Sequence, residues 1–230
     1  MRRPIYEIDN LSVTFDSKRV LMIKEFSIHR GACYVVFGKN ASGKSVFIDL
    51  LARNQKNKNG TIKFEGKNLK EYRSREFFDL IAVVPQVFYP PWGSVKKYLQ
   101  KTIGRYSHNK NIDSKVEAIS KKMQLNNIIN KKMKKLTPGQ LRWVVLAASI
   151  AADTKVLFID EFELHLTKNQ INDLIRILNR KINYDGVSLI ATTLSKDILS
   201  KLASVTITLD EGKISSVRSS SNRNKRKNKR

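Results

Sequence analysis

The residues best suited to chemistry form one unbroken run, Gly38-Lys39-Asn40-Ala41-Ser42-Gly43-Lys44-Ser45. The pattern is glycine, four free positions, then Gly-Lys-Ser. A loop of this kind turns its backbone N–H groups inward to cradle phosphate oxygens, and a helix opening behind it adds the positive end of its dipole. The glycines let the backbone approach the ligand closely. Lys44 supplies a point charge to the β- and γ-phosphates, and the Ser45 hydroxyl is a Mg²⁺ ligand. The ligand this set fits is ATP with Mg²⁺.

A second run, Val156-Leu157-Phe158-Ile159-Asp160-Glu161, reads as a buried strand ending in two carboxylates. Asp160 is placed to serve the Mg²⁺. Glu161 is placed to orient or deprotonate a water for in-line attack. Alone, an apolar strand ending in Asp-Glu carries little; its weight comes from the phosphate loop upstream.

The elements that must position these groups follow from the apolar pattern. Ile5–Ile8, Leu11–Phe15 and Val20–Ile28 read as strands, and Tyr34–Phe37 as a buried strand running into the loop. Ser45–Leu51 reads as the helix behind it. Asn57–Gly60 and Glu65–Asn68 read as turns around the strand Thr61–Phe64, and Ile81–Val84 is a further strand. Val95–Leu99 and Val116–Ile129 have helical spacing, and Gln140–Ala152 reads as a long apolar helix. Asn169–Ile182 is amphipathic, and Val187–Thr192 and Val205–Leu209 close the series as strands. Strands alternating with helices predict an α/β fold with a largely parallel sheet. The expected division is one domain over residues 1–217, with helices inserted at about 87–140, and a basic disordered tail over 218–230.

With 230 residues of which 41% are hydrophobic, the chain can bury a sizeable core. No apolar run approaches the ~20 residues of a membrane span, and no apolar segment follows Met1–Arg3. The expectation is a soluble, cytoplasmic chain. The lone Cys33 excludes an internal disulfide and reads as a small core residue. The formal charge is +24, and Arg218–Arg230 holds seven basic and no acidic side chains. Such a surface favours anionic partners, lipid head groups or nucleic acid. Composition alone, rich in Lys, Asn and Ile, could also produce the excess.

Taken together, the phosphate loop, Gln86 in Val83-Val84-Pro85-Gln86, Leu136-Thr137-Pro138-Gly139-Gln140 and Asp160-Glu161 resemble the ATP-binding cassette (ABC) ATPases in order and spacing over about residues 5–217. The resemblance implies a P-loop NTPase core with a mostly parallel sheet, an antiparallel β subdomain and an inserted helical subdomain. It implies that Gln86 senses Mg²⁺ and the partner, that Phe15 stacks on adenine, and that Leu136–Gln140 touches the γ-phosphate held by a second cassette. That second cassette is either another copy or a different ABC subunit. It also implies a separate transmembrane transporter subunit, with this chain peripheral on the cytoplasmic face of the membrane. Leu209–Ile214 is similar to the family's closing hairpin, and Gly104–His108 is similar to the iron-siderophore, haem and cobalamin importer subunits.

Several positions depart from that family pattern. Thr137 and Pro138 stand where Ser and Gly are usual, and Phe162 where a proline follows the catalytic Glu. Thr167 replaces an aspartate, and Thr193 stands where a switch histidine is expected, so Thr193 is the candidate for the catalytic contact on that side. His165 reads as a loop residue. These changes bear on hydrolysis more than on binding. Two other roles stay open: a non-transport ABC ATPase acting on nucleic acid or the ribosome, and a regulatory subunit with slow turnover.

Overall fold

A computed structural model describes residues 4–16, 18–56 and 59–220. Its described strands form one sheet, ordered Lys67–Asn68, Asn59–Phe64, Pro4–Phe15, Lys18–His29, Lys213–Ser219, Val205–Asp210, Cys33–Phe37, Ser188–Thr193, Val156–Ile159 and Ile81–Val84. The parallel part comprises β3 (Cys33–Phe37), β6 (Ile81–Val84), β7 (Val156–Ile159), β8 (Ser188–Thr193) and β9 (Val205–Asp210). The antiparallel part comprises β1 (Pro4–Phe15), β2 (Lys18–His29), β4 (Asn59–Phe64) and β5 (Lys67–Asn68). The last strand, β10 (Lys213–Ser219), joins them: it runs antiparallel to β9 and meets β2 in parallel.

The helices are α1 (Lys44–Leu51), α2 (Ser74–Phe78), α3 (Val95–Ile103), α4 (Ile112–Lys122), α5 (Pro138–Ala151) and α6 (Lys168–Tyr184). Side chains alternate across the central strands and so feed two cores. On β3, Cys33 and Val35 enter the core shared with α3, α4, α5 and α6, whereas Tyr34 and Val36 enter the core shared with α1 and the β1–β2 ribbon. On β7, Leu157 and Ile159 take the first side and Val156 and Phe158 the second. Strands buried on both faces read as continuous apolar runs, which is why these were legible. Cys33 is a fully buried core residue, and burial pushes its thiol pKa well up, so it is inert.

Three local features differ from the sequence reading. Ile5–Ile8 and Leu11–Phe15 are one strand, because Asn10 adopts a left-handed conformation (φ 49°) and bends β1 without breaking its pairing with β2. The helix expected across Val116–Ile129 starts earlier and ends at Lys122. Gln124 turns left-handed (φ 54°), its N–H donates to the Lys121 carbonyl, and the Leu125 N–H donates to the Ser120 carbonyl at 2.8 Å. That double bond is a Schellman stop made without glycine, so no residue type signals it. Finally, β10 extends to Ser219, which places Arg218 in a strand opposite Thr206 rather than in a tail. Residues 221–230 lie outside the described residues.

One carboxylate joins three elements around the helical insertion. Asp153, just past α5, accepts from Lys115 of α4 at 2.5 Å and from Lys181 of α6, and Lys181 also meets Asp185 at 2.9 Å. Burial alone would raise the Asp153 pKa, but the two ammonium donors overcome it and hold it below its ordinary value. The sign follows: with a folded pKa below the unfolded one, the stabilisation is full above about pH 4 and is lost as pH falls through the folded pKa. Asp153→Asn keeps the left-handed backbone (φ 53°) and removes the charge. The expected result is a thermal midpoint lower by a few degrees at pH 7 and a shallower loss of stability on acidification, read from melts at pH 3–7.

Candidate functional site

The phosphate loop lies between the end of β3 and the start of α1, with the Phe47 N–H donating to the Gly43 carbonyl at 2.9 Å. Two of its glycines are required by geometry. A Cβ at Gly38 would stand 2.5 Å from the Leu209 carbonyl oxygen, and one at Gly43 (φ 96°) would stand 2.8 Å from the Val20 carbonyl oxygen. Lys44 is buried, and its Nζ donates to the carbonyls of Gly38 at 2.8 Å and Lys39 at 2.7 Å. Its ammonium is therefore held against the loop it must serve. Burial lowers its pKa, and the carboxylates of Glu161, Asp160 and Glu163 pull in the opposite sense. Within this loop the Ser42 hydroxyl is buried and has no hydrogen-bond partner among the described residues. Asn40 and Ala41 complete the turn, Ala41 in a left-handed conformation (φ 59°). This cradle could take a chain of phosphates, and Ser45 and Asp160 are residues that could hold an accompanying Mg²⁺.

The carboxylate pair sits at the end of β7, beside β8. Asp160 is 6% exposed. The Thr192 hydroxyl donates to Asp160 Oδ1 at 2.5 Å and accepts from the Glu161 N–H at 2.7 Å. One hydroxyl thus fixes the Asp160 carboxylate and the backbone of the residue after it. Glu161 is held left-handed (φ 48°), which is where backbone strain accumulates at working sites. Phe162 is buried, and its N–H donates to the Thr192 carbonyl at 2.9 Å, a bond that the usual proline could not make.

Arg142, which sequence reasoning missed, lies behind both carboxylates. Its guanidinium donates to the carbonyls of Pro85 at 2.5 Å, Asp160 at 2.6 Å and Glu161 at 2.9 Å. Burial pushes its pKa down to about 10, and the nearby carboxylates oppose the fall, so it stays charged at neutral pH. Gln86 follows Pro85 and is exposed.

Thr137 is the N-cap of α5. Its hydroxyl accepts from the Gln140 N–H at 3.3 Å, and the Gln140 side chain accepts from the Thr137 N–H at 3.2 Å. Pro138 occupies the first helical position, where no intrahelical bond is lost. Gly139 is needed for packing: a Cβ there would stand 2.8 Å from the His165 carbonyl oxygen. Gln86, Leu136, Pro138, Arg142 and His165 line one cavity of about 450 Å³. Among the described residues no hydrogen bond joins 136–140 to 38–45. Phe15 is 45% exposed near the end of β1, available for stacking.

Thr193 is not free for a phosphate contact. It is fully buried; its hydroxyl lies 2.9 Å from Glu163 Oε1 and 3.1 Å from the Ser195 carbonyl, and it accepts from the Ser195 N–H at 3.0 Å. Glu163 Oε1 also accepts from the Leu194 N–H at 3.0 Å. Glu163, Thr192 and Arg142 are the polar residues that the sequence did not reveal. Their only signal was proximity in sequence to Asp160, Thr193 and Gln140.

Known proteins match this arrangement. The family described as ABC transporter matches residues 21–163, and the chain belongs to that family. The methionine import ATP-binding protein MetN of Lactococcus lactis subsp. lactis (strain IL1403) is 26% identical over 91% of this chain and 64% of its own length. The probable siderophore transport system ATP-binding protein YusV of Bacillus subtilis (strain 168) is 26% identical over 75% of this chain and 66% of its own length. The chain thus spans about 64% of the MetN relative. Among solved structures, an ATP-binding subunit of an ABC transporter superposes with a TM-score of 0.86 at 17% identity, covering 97% of this chain and 93% of that one. A dimeric cassette, MJ0796 bound to ADP and Pi, gives 0.84 at 17% identity, covering 93% and 98%. These likenesses bear out the fold expected from the sequence.

Thr192→Val keeps the shape of the side chain and removes both bonds. It strands the Glu161 N–H and one Asp160 oxygen, a loss of about 1–3 kcal/mol. The expected outcome is a lower thermal midpoint together with a higher Mg²⁺ requirement for binding an ATP analogue, checked by melting and by Mg²⁺ titration.

Proposed function

We propose that this chain is the ATP-binding and ATP-hydrolysing subunit of an ABC transporter, coupled to a separate transmembrane subunit. The observation that carries the reading is that Lys44, after β3, and Asp160 and Glu161, after β7, stand at strand ends on either side of β8, with both acids acting on the Lys44 ammonium and Thr192 of β8 bonding the Asp160 carboxylate and the Glu161 backbone. In this reading residues 38–45 would bind the phosphates, Ser45, Asp160 and Gln86 would hold Mg²⁺, and Phe15 would stack on adenine. Bound Mg²⁺ neutralises charge on the phosphate oxygens. Glu161 places the attacking water.

A single chain leaves Leu136–Gln140 without a phosphate to contact. The proposed assembly is a head-to-tail pair with a second copy or another ABC subunit, each contributing its α5 N-terminus to the other's nucleotide. The cavity beside Gln86 and the helical insertion form the coupling surface to the membrane subunit. Among the described residues no helix is long and apolar enough to cross a membrane, which agrees with a peripheral subunit on the cytoplasmic face. The relatives' names support import as one direction. Lys44→Ala removes the loop cation; ATP–Mg²⁺ affinity is expected to fall several-fold or more by equilibrium binding of a fluorescent analogue, and unchanged affinity in a folded variant defeats the assignment.

A slow homodimer is favoured by one specific observation, the engagement of the Thr193 hydroxyl with Glu163 and Ser195. The Thr193 side chain itself offers no cation to the γ-phosphate. Loss of a transition-state contact lowers kcat more than it raises KM. Thr193→His combined with Glu163→Thr, which opens room for the ring, is expected to raise kcat roughly 10–100-fold, measured as steady-state phosphate release. Wild-type turnover equal to an ordinary transporter ATPase removes the slow-turnover reading and leaves the transporter reading standing.

A further inference from the structure

The loop after β8 carries a cation, Lys196, close to the phosphate loop. Thr193 ends β8, and β8 lies parallel to β3, so residues 194–196 leave the sheet at the same end as Gly38. The loop is tied down at its start. Glu163 Oε1 accepts from the Leu194 N–H at 3.0 Å and lies 2.9 Å from the Thr193 hydroxyl. That hydroxyl accepts from the Ser195 N–H at 3.0 Å, which closes a short turn and bends the chain. Lys196 is thereby brought over the end of β3, and its Nζ lies 4.5 Å from the centroid of the Phe37 ring.

Phe37 is the last residue of β3, and Gly38, the first residue of the phosphate loop, follows it directly. The Gly38 carbonyl accepts from Lys44 Nζ at 2.8 Å. Two lysines remote from one another in sequence therefore converge on residues 37–39. They approach from different sides of the sheet. Cys33 and Val35 of β3, and Leu189 and Ala191 of β8, face the core shared with α3–α6, so alternation puts Phe37 and Thr193 on that side. Ile190 faces the α1 side, and Thr192 follows it there, bonded to Asp160. Lys44 and Asp160 thus stand toward α1, and Lys196 stands across the strand ends from them.

The buried cations of the site are already engaged. Arg142 directs its guanidinium at three carbonyls, and the carboxylates of Glu161, Asp160 and Glu163 all act on Lys44. Lys196 is exposed, and among the described residues it has no carboxylate partner. An aromatic face is a weak hold on an exposed ammonium, so an arriving anion can draw it away.

We propose that Lys196 is a catalytic residue of this chain: its ammonium leaves the Phe37 ring and contacts the γ-phosphate on the side where Thr193 offers no charge. The proposal rests on the ATP-hydrolysing reading. In hydrolysis the water oxygen bonds to the γ-phosphorus, its proton passes to Glu161, and the bond from that phosphorus to the bridging oxygen breaks, leaving the electron pair on ADP. Negative charge is spread over the γ-oxygens on the way. Lys196 keeps its proton and acts by charge alone. A long exposed side chain is less preorganised than a ring fixed at the strand end, so this role agrees with slow turnover.

The full chain is compared with Lys196→Met, which can still cover Phe37, with Lys196→Arg, which keeps the charge, and with Lys201→Met, which removes an equal charge from the same segment. Lys196→Met is expected to lower kcat for phosphate release about 10–100-fold. It is expected to weaken binding of a non-hydrolysable ATP analogue with Mg²⁺ several-fold and to leave ADP affinity unchanged. Lys196→Arg is expected to recover most of the kcat, and Lys201→Met to match the wild type. A readout without turnover is acetylation of exposed amines followed by mass spectrometry of the peptide bearing Lys196. The ATP analogue with Mg²⁺ is expected to protect Lys196, and ADP is not. Equal protection by the two nucleotides, an unchanged ratio of ATP-analogue to ADP affinity in Lys196→Met, or an equal loss in Lys201→Met would each overturn the proposal. A purely structural contact predicts that Phe37→Leu and Lys196→Met lower the thermal midpoint alike while that ratio stays fixed, and this result also overturns it. Nucleotide binding by Lys44→Ala is scored alongside. If Lys44→Ala loses affinity while Lys196→Met keeps the ratio, the Lys196 proposal falls alone; if Lys44→Ala binds as the wild type does, the phosphate-loop reading falls and this proposal with it.

Discussion

Much of this molecule depends on one buried guanidinium. Arg142 belongs to α5 yet donates to the carbonyl of Pro85 past β6 and to those of Asp160 and Glu161 past β7. A buried charge is tolerated only when its donors are satisfied, and three carbonyl oxygens at two strand ends meet most of that need; Nε alone has no partner. The consequence is mechanical. The helix headed by Thr137, the loop bearing Gln86 and the acidic pair share one fixed point, so displacement of any one is felt by the others.

The departures from the family pattern become understandable at the level of local energetics. Thr137 and Thr167 stand at positions usually held by serine and aspartate, and both cap helices. Thr167 accepts from the Gln170 N–H at 3.3 Å while its own N–H donates to the Gln170 side chain at 3.0 Å, the same box that Thr137 forms with Gln140. A cap of this kind contributes about 1 kcal/mol, so each threonine has a structural role of its own. Phe162 likewise exchanges a proline ring for a buried aromatic and a usable N–H. At Thr193 the exchange is of another kind. The missing ring is replaced by an internal latch to Glu163, which holds the switch loop to the loop after Glu161 within one chain.

Charge is distributed by subdomain rather than evenly. Around the nucleotide site, Lys44 and Arg142 face Asp160, Glu161 and Glu163 and balance is close. At the base of the sheet, Glu65 meets Arg30 at 2.6 Å and Lys155 at 3.0 Å, and Asp153 serves Lys115 and Lys181. Among the described residues the lysines near Trp92 have no carboxylate partner, so the field there is directed outward.

By itself the sequence determined the phosphate loop, the Asp160–Glu161 strand end and the central parallel strands. Each rests on a short-range rule: a loop whose spacing is set by the size of a phosphate, and strands whose burial on both faces demands unbroken apolar runs. Only the tertiary structure decided the rest. Arg142 reads as an ordinary helical arginine until three carbonyls from distant strands converge on it. Thr192 and Thr193 look equivalent in sequence, but adjacent strand positions point to opposite sides, so one fixes the acids and the other binds Glu163. The end of α4 was invisible because its stop is made by Gln124 in a conformation that favours glycine. The lysines near Trp92 are gathered only because residues 93–96 and 129–133 are stitched together by backbone bonds. In each case the deciding partner is remote along the chain, and a pattern confined to neighbouring residues carries no information about it.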